Sequence, residues 1–275
     1  MEKNLFTDVK YLTINEDDRN WGIYVTTLGF QKITSNSPYP PEGHPEGYMF
    51  NTRTGRVLKD YQIVYITEGE GYFESEHMIK VKVEKGTVFF LFPNEWHNYY
   101  PEKLTGWSTY WIGFEGEYID KLISNSFFSR ESPLLQVNLR DTITTLFIDA
   151  ITTAKIEQSG YQQILGGITL HLLGLIRSIN SNKQFERNNL SQIVEQARIL
   201  MKENVDDNIN SQDIADQLGL SYSWFRKLFK NYTGLSPAKY QNQLRTLRAK
   251  EHLLNTTFSI KEISYQMNFE SVTYF

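Results

Sequence analysis

At 275 residues, with 40% apolar and 14% aromatic side chains and a net charge of −4, the chain is long enough for two domains with separate cores. It contains no cysteine, which excludes disulfides and thiolate metal sites and suits a reducing, cytoplasmic setting. Met1-Glu2-Lys3-Asn4-Leu5 has no apolar signal core, and no stretch reads as the ~20 apolar residues of a membrane span, so no membrane partner is expected.

Up to about Phe114 the pattern is one of short strands. Ile23–Phe30, Tyr61–Thr67, Gly71–Ser75, Ile79–Val83, Thr87–Phe92 and Trp107–Phe114 are rich in β-branched and aromatic residues. Glu68-Gly69-Glu70-Gly71 fits a hairpin turn. Ser37 to Gly47, with four prolines and two glycines, predicts an irregular arm. Strands at this spacing indicate a sandwich or barrel.

The period then changes. Leu139, Ile143, Leu146, Ala150 and Thr153 recur at steps of four and three, as do Leu165, Ile168, Leu172, Leu175 and Ile179, with Ser159-Gly160 between the runs. This predicts a helical hairpin with two narrow apolar seams. The pattern leaves open whether both seams pack on the β-domain or one forms a dimer. Ser181 to Asn189 is polar and aperiodic, and marks a domain boundary. The expected parts are 1–137, a sensing domain; 138–182, a helical hairpin for dimerisation or linkage; and 188–275, all helical. The fold class is α+β.

Charge is unevenly spread. Residues 1–187 carry 18 basic and 23 acidic side chains, whereas 217–261 carry eight basic residues and only Glu251 as an acid. A basic block in an acidic chain suits nucleic acid, although a solvated helix face gives the same count. In the same last third of the chain two segments repeat at an offset of 49 residues, Asn210 to Leu220 and Ser259 to Phe269. Each opens with a capping residue followed three places on by an acid, Asp213 or Glu262. Each carries a small residue, Ala215 or Ser264, and closes on Gly219 or Asn268, both tolerant of a left-handed turn. That is the pattern of a helix-turn-helix. The helix after the first turn, capped by Ser221, buries Phe225, Leu228 and Phe229. It presents Ser223, Trp224, Arg226, Lys227 and Lys230, of which arginine and lysine can contact guanine or phosphate. Ser271 and Thr273 are the candidate DNA contacts of the second unit. Pro237 to Leu254 reads as one helix of roughly 27 Å, close to the ~34 Å between successive major-groove segments on one face of DNA.

Residues 190–275 resemble the DNA-binding domain of AraC/XylS-type regulators through Asp213-Ile214-Ala215, Leu218-Gly219-Leu220-Ser221, Arg226-Lys227-Leu228-Phe229-Lys230, Thr233-Gly234-Leu235-Ser236-Pro237, Arg248-Ala249-Lys250 and Ile260-Lys261-Glu262-Ile263. The resemblance implies a double helix-turn-helix on double-stranded DNA. The second unit is expected to be truncated at Phe275, before the Arg-x-Phe-Lys stretch of the family.

Tyr65 to Gly71 and Gly86 to His97 resemble the family's cupin-like sensor more loosely. Metal-dependent cupins gather histidines from two strand pairs, but Tyr61 to Ser75 has none; a metal, another cofactor or a cupin enzyme is therefore not expected. Trp107, Thr109, Trp111 and Gly113 alternate to one side of a strand, opposite Ser108, Tyr110, Ile112 and Phe114. An aromatic wall with a few polar groups suits a sugar or similar small effector. By resemblance Tyr99, Thr109 and Trp111 line such a pocket, with Trp96 and His97 near and Arg53 or Arg56 supplying an arginine; core packing remains open for each aromatic. The combined expectation is a ligand-responsive, DNA-binding, homodimeric regulator. A cupin enzyme and a constitutive DNA-binding dimer are the alternatives.

Overall fold

The computed structural model describes residues 7–40, 51–186, 189–207 and 209–267, with Phe269, Ser271 and Thr273. The chain divides into two compact units, Met1–Asn180 and Ser181–Phe275.

Among the described residues the first unit has nine strands: β1 (Thr7–Tyr11), β2 (Tyr24–Ile33), β3 (Arg56–Val57), β4 (Tyr61–Ser75), β5 (Met78–Glu84), β6 (Thr87–Leu91), β7 (Trp96–Pro101), β8 (Trp107–Glu115) and β9 (Leu134–Gln136). The described helices beside them are α1 (Glu16–Asn20), α2 (Glu117–Ser124), α3 (Asp141–Ile156) and α4 (Tyr161–Glu186), the last of which continues past Asn180. The order β1-β2-β8-β4-β6-β9 is antiparallel at every pairing. β5 and β7 pair with the far half of β4, and β3 pairs with β7.

The hairpin turn expected at Glu68 to Gly71 is absent, because β4 runs straight through these residues. Its first half pairs with β6 and β8 and its second with β5 and β7, the change marked by a register shift between Ile66 and Glu68. The glycines serve this crossing. Gly69 has φ +73° and a Cβ there would lie 2.1 Å from the Gly106 carbonyl oxygen; at Gly71 it would lie 2.6 Å from the Trp107 ring. The arm predicted for Ser37 to Gly47 is irregular as far as Pro40, and its remainder lies outside the described residues.

Two apolar clusters cover the two faces of the sheet. Ile63, Tyr65, Val88, Phe90, Ile112 and Phe114 face α3 and α4. Ile33, Val64, Ile66, Phe73, Phe89, Leu91 and Trp107 face inward, between the strand layers. Each such side chain, fully buried, contributes about 1.5–3 kcal/mol. The strand period of two separates the clusters, so neighbours in sequence serve different cores.

Both helical seams pack on this sheet, as one of the two open readings has it. Leu165, Leu172, Leu173, Ile176 and Ile179 of α4 are buried in the helix-side cluster. In α3 the buried face is Ile143, Phe147, Ala150, Ile151 and Ala154, turned from the expected seam. Leu139 precedes the helix and is exposed, and Leu146 is half-buried. By length and composition Tyr161–Lys183 does reach what a membrane crossing needs, contrary to the expectation from apolar runs. Its apolar side, however, is committed to the sheet. Gln162 fastens α4 at a polar point: its side chain accepts from Val25 N at 2.9 Å and donates to Val25 O at 3.0 Å. Val25 borders the bulge where β2 shifts register against β8, so Gln162 satisfies backbone groups that the ladder leaves unpaired.

The second unit holds α5 (Leu190–Glu203), α6 (Ser211–Gln217), α7 (Tyr222–Thr233), α8 (Pro237–Asn255) and α9 (Ile260–Gln266). Ile214, Ala215, Phe225 and Phe229 are fully buried with Val194 and Ala197. A second small cluster joins Ala249, Ile263 and Met267. Capping boxes form at both Asn210 with Asp213 and Ser259 with Glu262. Gly219 turns the chain between α6 and α7 at φ +69°. Asn268, assigned the same role in the second unit, lies outside the described residues.

Candidate functional site

In the first unit a polar and aromatic group faces inward. β8 sets one wall. Trp107 belongs to the inward cluster and Trp111 packs against it, whereas Tyr110, Ile112 and Phe114 belong to the helix side. Thr109, between the two tryptophans, is 5% exposed. Trp111 needs the gap opposite it: Gly29 is its register partner on β2, and a Cβ at Gly29 would lie 2.7 Å from the indole.

β3 and β7 set the other wall. Arg56 pairs in register with His97; its Nε–H donates to His97 Nε2 at 3.3 Å and its Nη2 donates to the Tyr99 hydroxyl. His97 Nδ1 lies 3.2 Å from the Glu95 carbonyl oxygen. An acceptor at Nε2 and a carbonyl at Nδ1 together assign the proton to Nδ1 and a neutral ring. Burial, then the Arg56 charge, push the His97 pKa down to about 3. Tyr99 in turn lies 6.2 Å from the Trp107 ring, and Tyr39 lies 6.1 Å from it on another side.

Arg56, His97, Tyr99, Thr109 and Trp111, all expected here, do face this interior. Arg53 and Trp96 do not. Arg53 is exposed on the turn before β3. Trp96 sits on the opposite side of β7 from His97 and donates Nε1–H to the Thr54 carbonyl at 2.8 Å, bracing that turn. The pairing of β3 with β7 decides between the two arginines, and a two-residue strand leaves no periodicity from which to read it.

Four further residues were not anticipated. Tyr11 and Tyr39 stand in the field of Arg56 and Tyr99; burial pushes the Tyr11 hydroxyl up to about 12 and the Tyr39 hydroxyl well above its ordinary value. Gln31 pairs in register with Thr109, is 6% exposed, and its Nε2 has no hydrogen-bond partner among the described residues. Asp60 is buried beside Gly113 and accepts from Thr26 Oγ1; burial raises its pKa, against hydrogen bonds from Thr26 and Gln62. Among the described residues no three histidine or acidic side chains gather as a metal would require.

In the second unit α7 divides as its sequence suggests. Phe225, Leu228 and Phe229 are buried, and Ser223, Arg226, Lys227 and Lys230 are exposed with Trp224, which is 41% exposed. Among the described residues no acid pairs with Arg226, Lys227 or Lys230. Not all the basic block is available, since Arg248 is held by Asp206 at 3.2 Å and Glu251 at 3.1 Å. Ser221 takes the N-cap position but its hydroxyl makes no capping bond, contrary to expectation. It is left exposed at the helix start. Ser271 and Thr273 are exposed beyond α9 and belong to no described helix.

Comparison with known proteins matches residues 39–174 to the AraC-like ligand binding domain and residues 214–275 to a helix-turn-helix domain. The Msm operon regulatory protein of Streptococcus mutans is 27% identical over 237 residues, covering 84% of this chain and 82% of that protein. The lactose operon transcription activator of Staphylococcus xylosus is 24% identical, covering 74% of each. The raffinose operon transcriptional regulatory protein of Pediococcus pentosaceus is 26% identical, covering 80% of each. The two matched domains, together with these operon regulators as relatives over most of its length, show that the chain belongs to the AraC/XylS family of ligand-responsive, DNA-binding transcription regulators.

Proposed function

We propose that the chain is a cytoplasmic, homodimeric, non-catalytic regulator whose inward-facing group binds a carbohydrate, and that this binding alters its grip on DNA. Residues 1–137 act as the sensor, 138–182 as the dimerising or linking hairpin, and 188–275 as the DNA-binding part. The observation that carries the reading is Gln31. A buried amide donor without an acceptor costs about 1–3 kcal/mol. It lies on the same inner face as Thr109, Trp107 and Trp111. A sugar hydroxyl supplies the missing acceptor while its C–H face stacks on indole. The names of the relatives point to the same class: lactose and raffinose both contain a galactosyl unit. Arg56, His97 and Tyr99 provide further polar contacts. Ser221, Ser223, Trp224, Arg226, Lys227 and Lys230, with Ser271 and Thr273, supply the DNA contacts. Coupling requires that the sugar bind one conformational state more tightly than another.

The test is a melting-temperature screen of the full chain against lactose, raffinose, galactose and a control polyol. A rise with a galactoside, absent in Trp111→Phe, is expected. No rise with any sugar would overturn the carbohydrate assignment.

A further inference from the structure

The DNA-binding unit has a polar feature away from the exposed face of α7. A cleft of about 330 Å³ opens between α6, the first residue of α7 and the first half of α8. Asn210, Gln212, Tyr222, Gln241, Asn242 and Arg245 line it, and among the described residues no acidic side chain does. Gln241 is already engaged, accepting from Ser211 Oγ and donating to the Ile209 carbonyl at 3.1 Å. Arg245 is half-buried and donates from Nη2 to the same carbonyl at 3.2 Å. It has no ion pair among the described residues. A guanidinium has five N–H donors, so most of its capacity and all of its charge stay uncompensated. Asn242 is exposed, and its side-chain amide has no partner among the described residues. Arg248, three residues further along α8, shows the contrast: two carboxylates hold it.

A half-buried arginine fixed by one backbone carbonyl, amides beside it and no carboxylate form an anion site suited to a phosphodiester. Tyr222 places that site at the start of the helix whose cations are exposed. We propose that the cleft seats a backbone phosphate of the duplex that α7 contacts, with Arg245 as its principal donor and Asn242 beside it. This rests on the family's DNA binding and adds a contact that sets position rather than sequence.

The test is fluorescence anisotropy of the full chain with two labelled duplexes, one enriched from random sequence on the protein and one scrambled, over a salt series. Arg245→Gln is expected to weaken both by a similar factor, on the order of tenfold at low salt, and to reduce the slope of log affinity against log salt by about 1. Arg245→Lys keeps a charge for the phosphate and should retain most of the slope. If Arg245 only fastens α8 to Ile209, its variants lower the melting temperature and leave the slope unchanged, which overturns the proposal. Asn242→Asp covers the case in which Arg245→Gln is unfolded. An acid at this exposed position should weaken both duplexes, less so as salt rises, and an unchanged affinity overturns the proposal. If the wild-type chain binds neither duplex, DNA binding itself fails; if it binds and both variants match it, the cleft alone fails.

Discussion

Arg56 donates its Nε–H to Nε2 of His97, and that bond holds only while the ring is neutral. The His97 pKa of about 3 lies below its ordinary value of 6.5. The unfolded chain therefore takes up a proton that the folded chain refuses. The contribution to stability is complete above pH 6.5 and is lost as pH falls toward the folded value. For one such group the loss between pH 7.5 and pH 5 is about 2 kcal/mol. Asp60, with its raised pKa, acts in the opposite direction. Urea unfolding of wild type and His97→Gln at both pH values isolates the term: the variant should lose about 2 kcal/mol less on acidification. Equal losses would mean that His97 titrates in the folded state.

Gly29→Ala should cost about 1–3 kcal/mol, because the new methyl meets the Asp8 carbonyl oxygen and the Trp111 indole in a packed site. Trp111→Phe removes the ring atoms nearest the methyl. A double-mutant cycle read by thermal unfolding should therefore show favourable coupling between the two substitutions. Strict additivity would place the strain at Asp8 alone.

Gln31→Met is expected to stabilise the ligand-free protein by about 1 kcal/mol, since it removes a buried donor that lacks an acceptor among the described residues. The same change should weaken the binding of any sugar that shifts the wild-type melting temperature. A variant less stable than wild type, with normal sugar binding, would assign Gln31 to packing.

Leu172→Lys should unfold the first unit, because Leu172 is fully buried against the sheet and an unpaired charge there is strongly unfavourable. Ile164 on the same helix is 53% exposed. Ile164→Lys should keep the fold and shift sedimentation toward monomer if the outer face of α4 joins two copies. A folded dimer of Ile164→Lys would move the interface elsewhere.

Arg226→Ala should cost about 1–3 kcal/mol in DNA affinity and relax discrimination at one base position, given an exposed guanidinium with no acidic partner among the described residues. Binding to selected and scrambled duplexes distinguishes this from a phosphate contact, which would weaken both alike.

The two faces of β8 were legible because alternation has a strict period of two and the large side chains of Trp107, Trp111, Ile112 and Phe114 mark it. The helix-turn-helix was legible because caps, small residues and turns lie within a few positions of one another. β4 was not, since a glycine pair suits both a turn and a bulge, and only the partners of the strand distinguish them. The face of α3 was displaced because its threonine-rich sequence supports two apolar seams one residue apart. Gln31 and Asp60 went unread for a different reason. A polar side chain in or beside a strand is ordinarily placed toward solvent, and their burial depends on strands far away in the chain.

The long pairings of the sheet have a consequence in time. Tyr24 and Glu115, hydrogen-bonded across β2 and β8, are 91 positions apart, and β8 lies between β2 and β4. During synthesis β2 can pair with β1 but must wait for its central neighbour until Glu115 emerges. At ribosomal rates of about 5–20 residues per second that wait is roughly 5–18 s. Throughout it Leu28 and Phe30, later covered by the sheet's helical layer, remain in water on a ribbon with an open edge. The helices of the second unit make mostly local contacts and need no such delay. The sensor, though made first, is the part whose folding most exposes a nascent chain to aggregation.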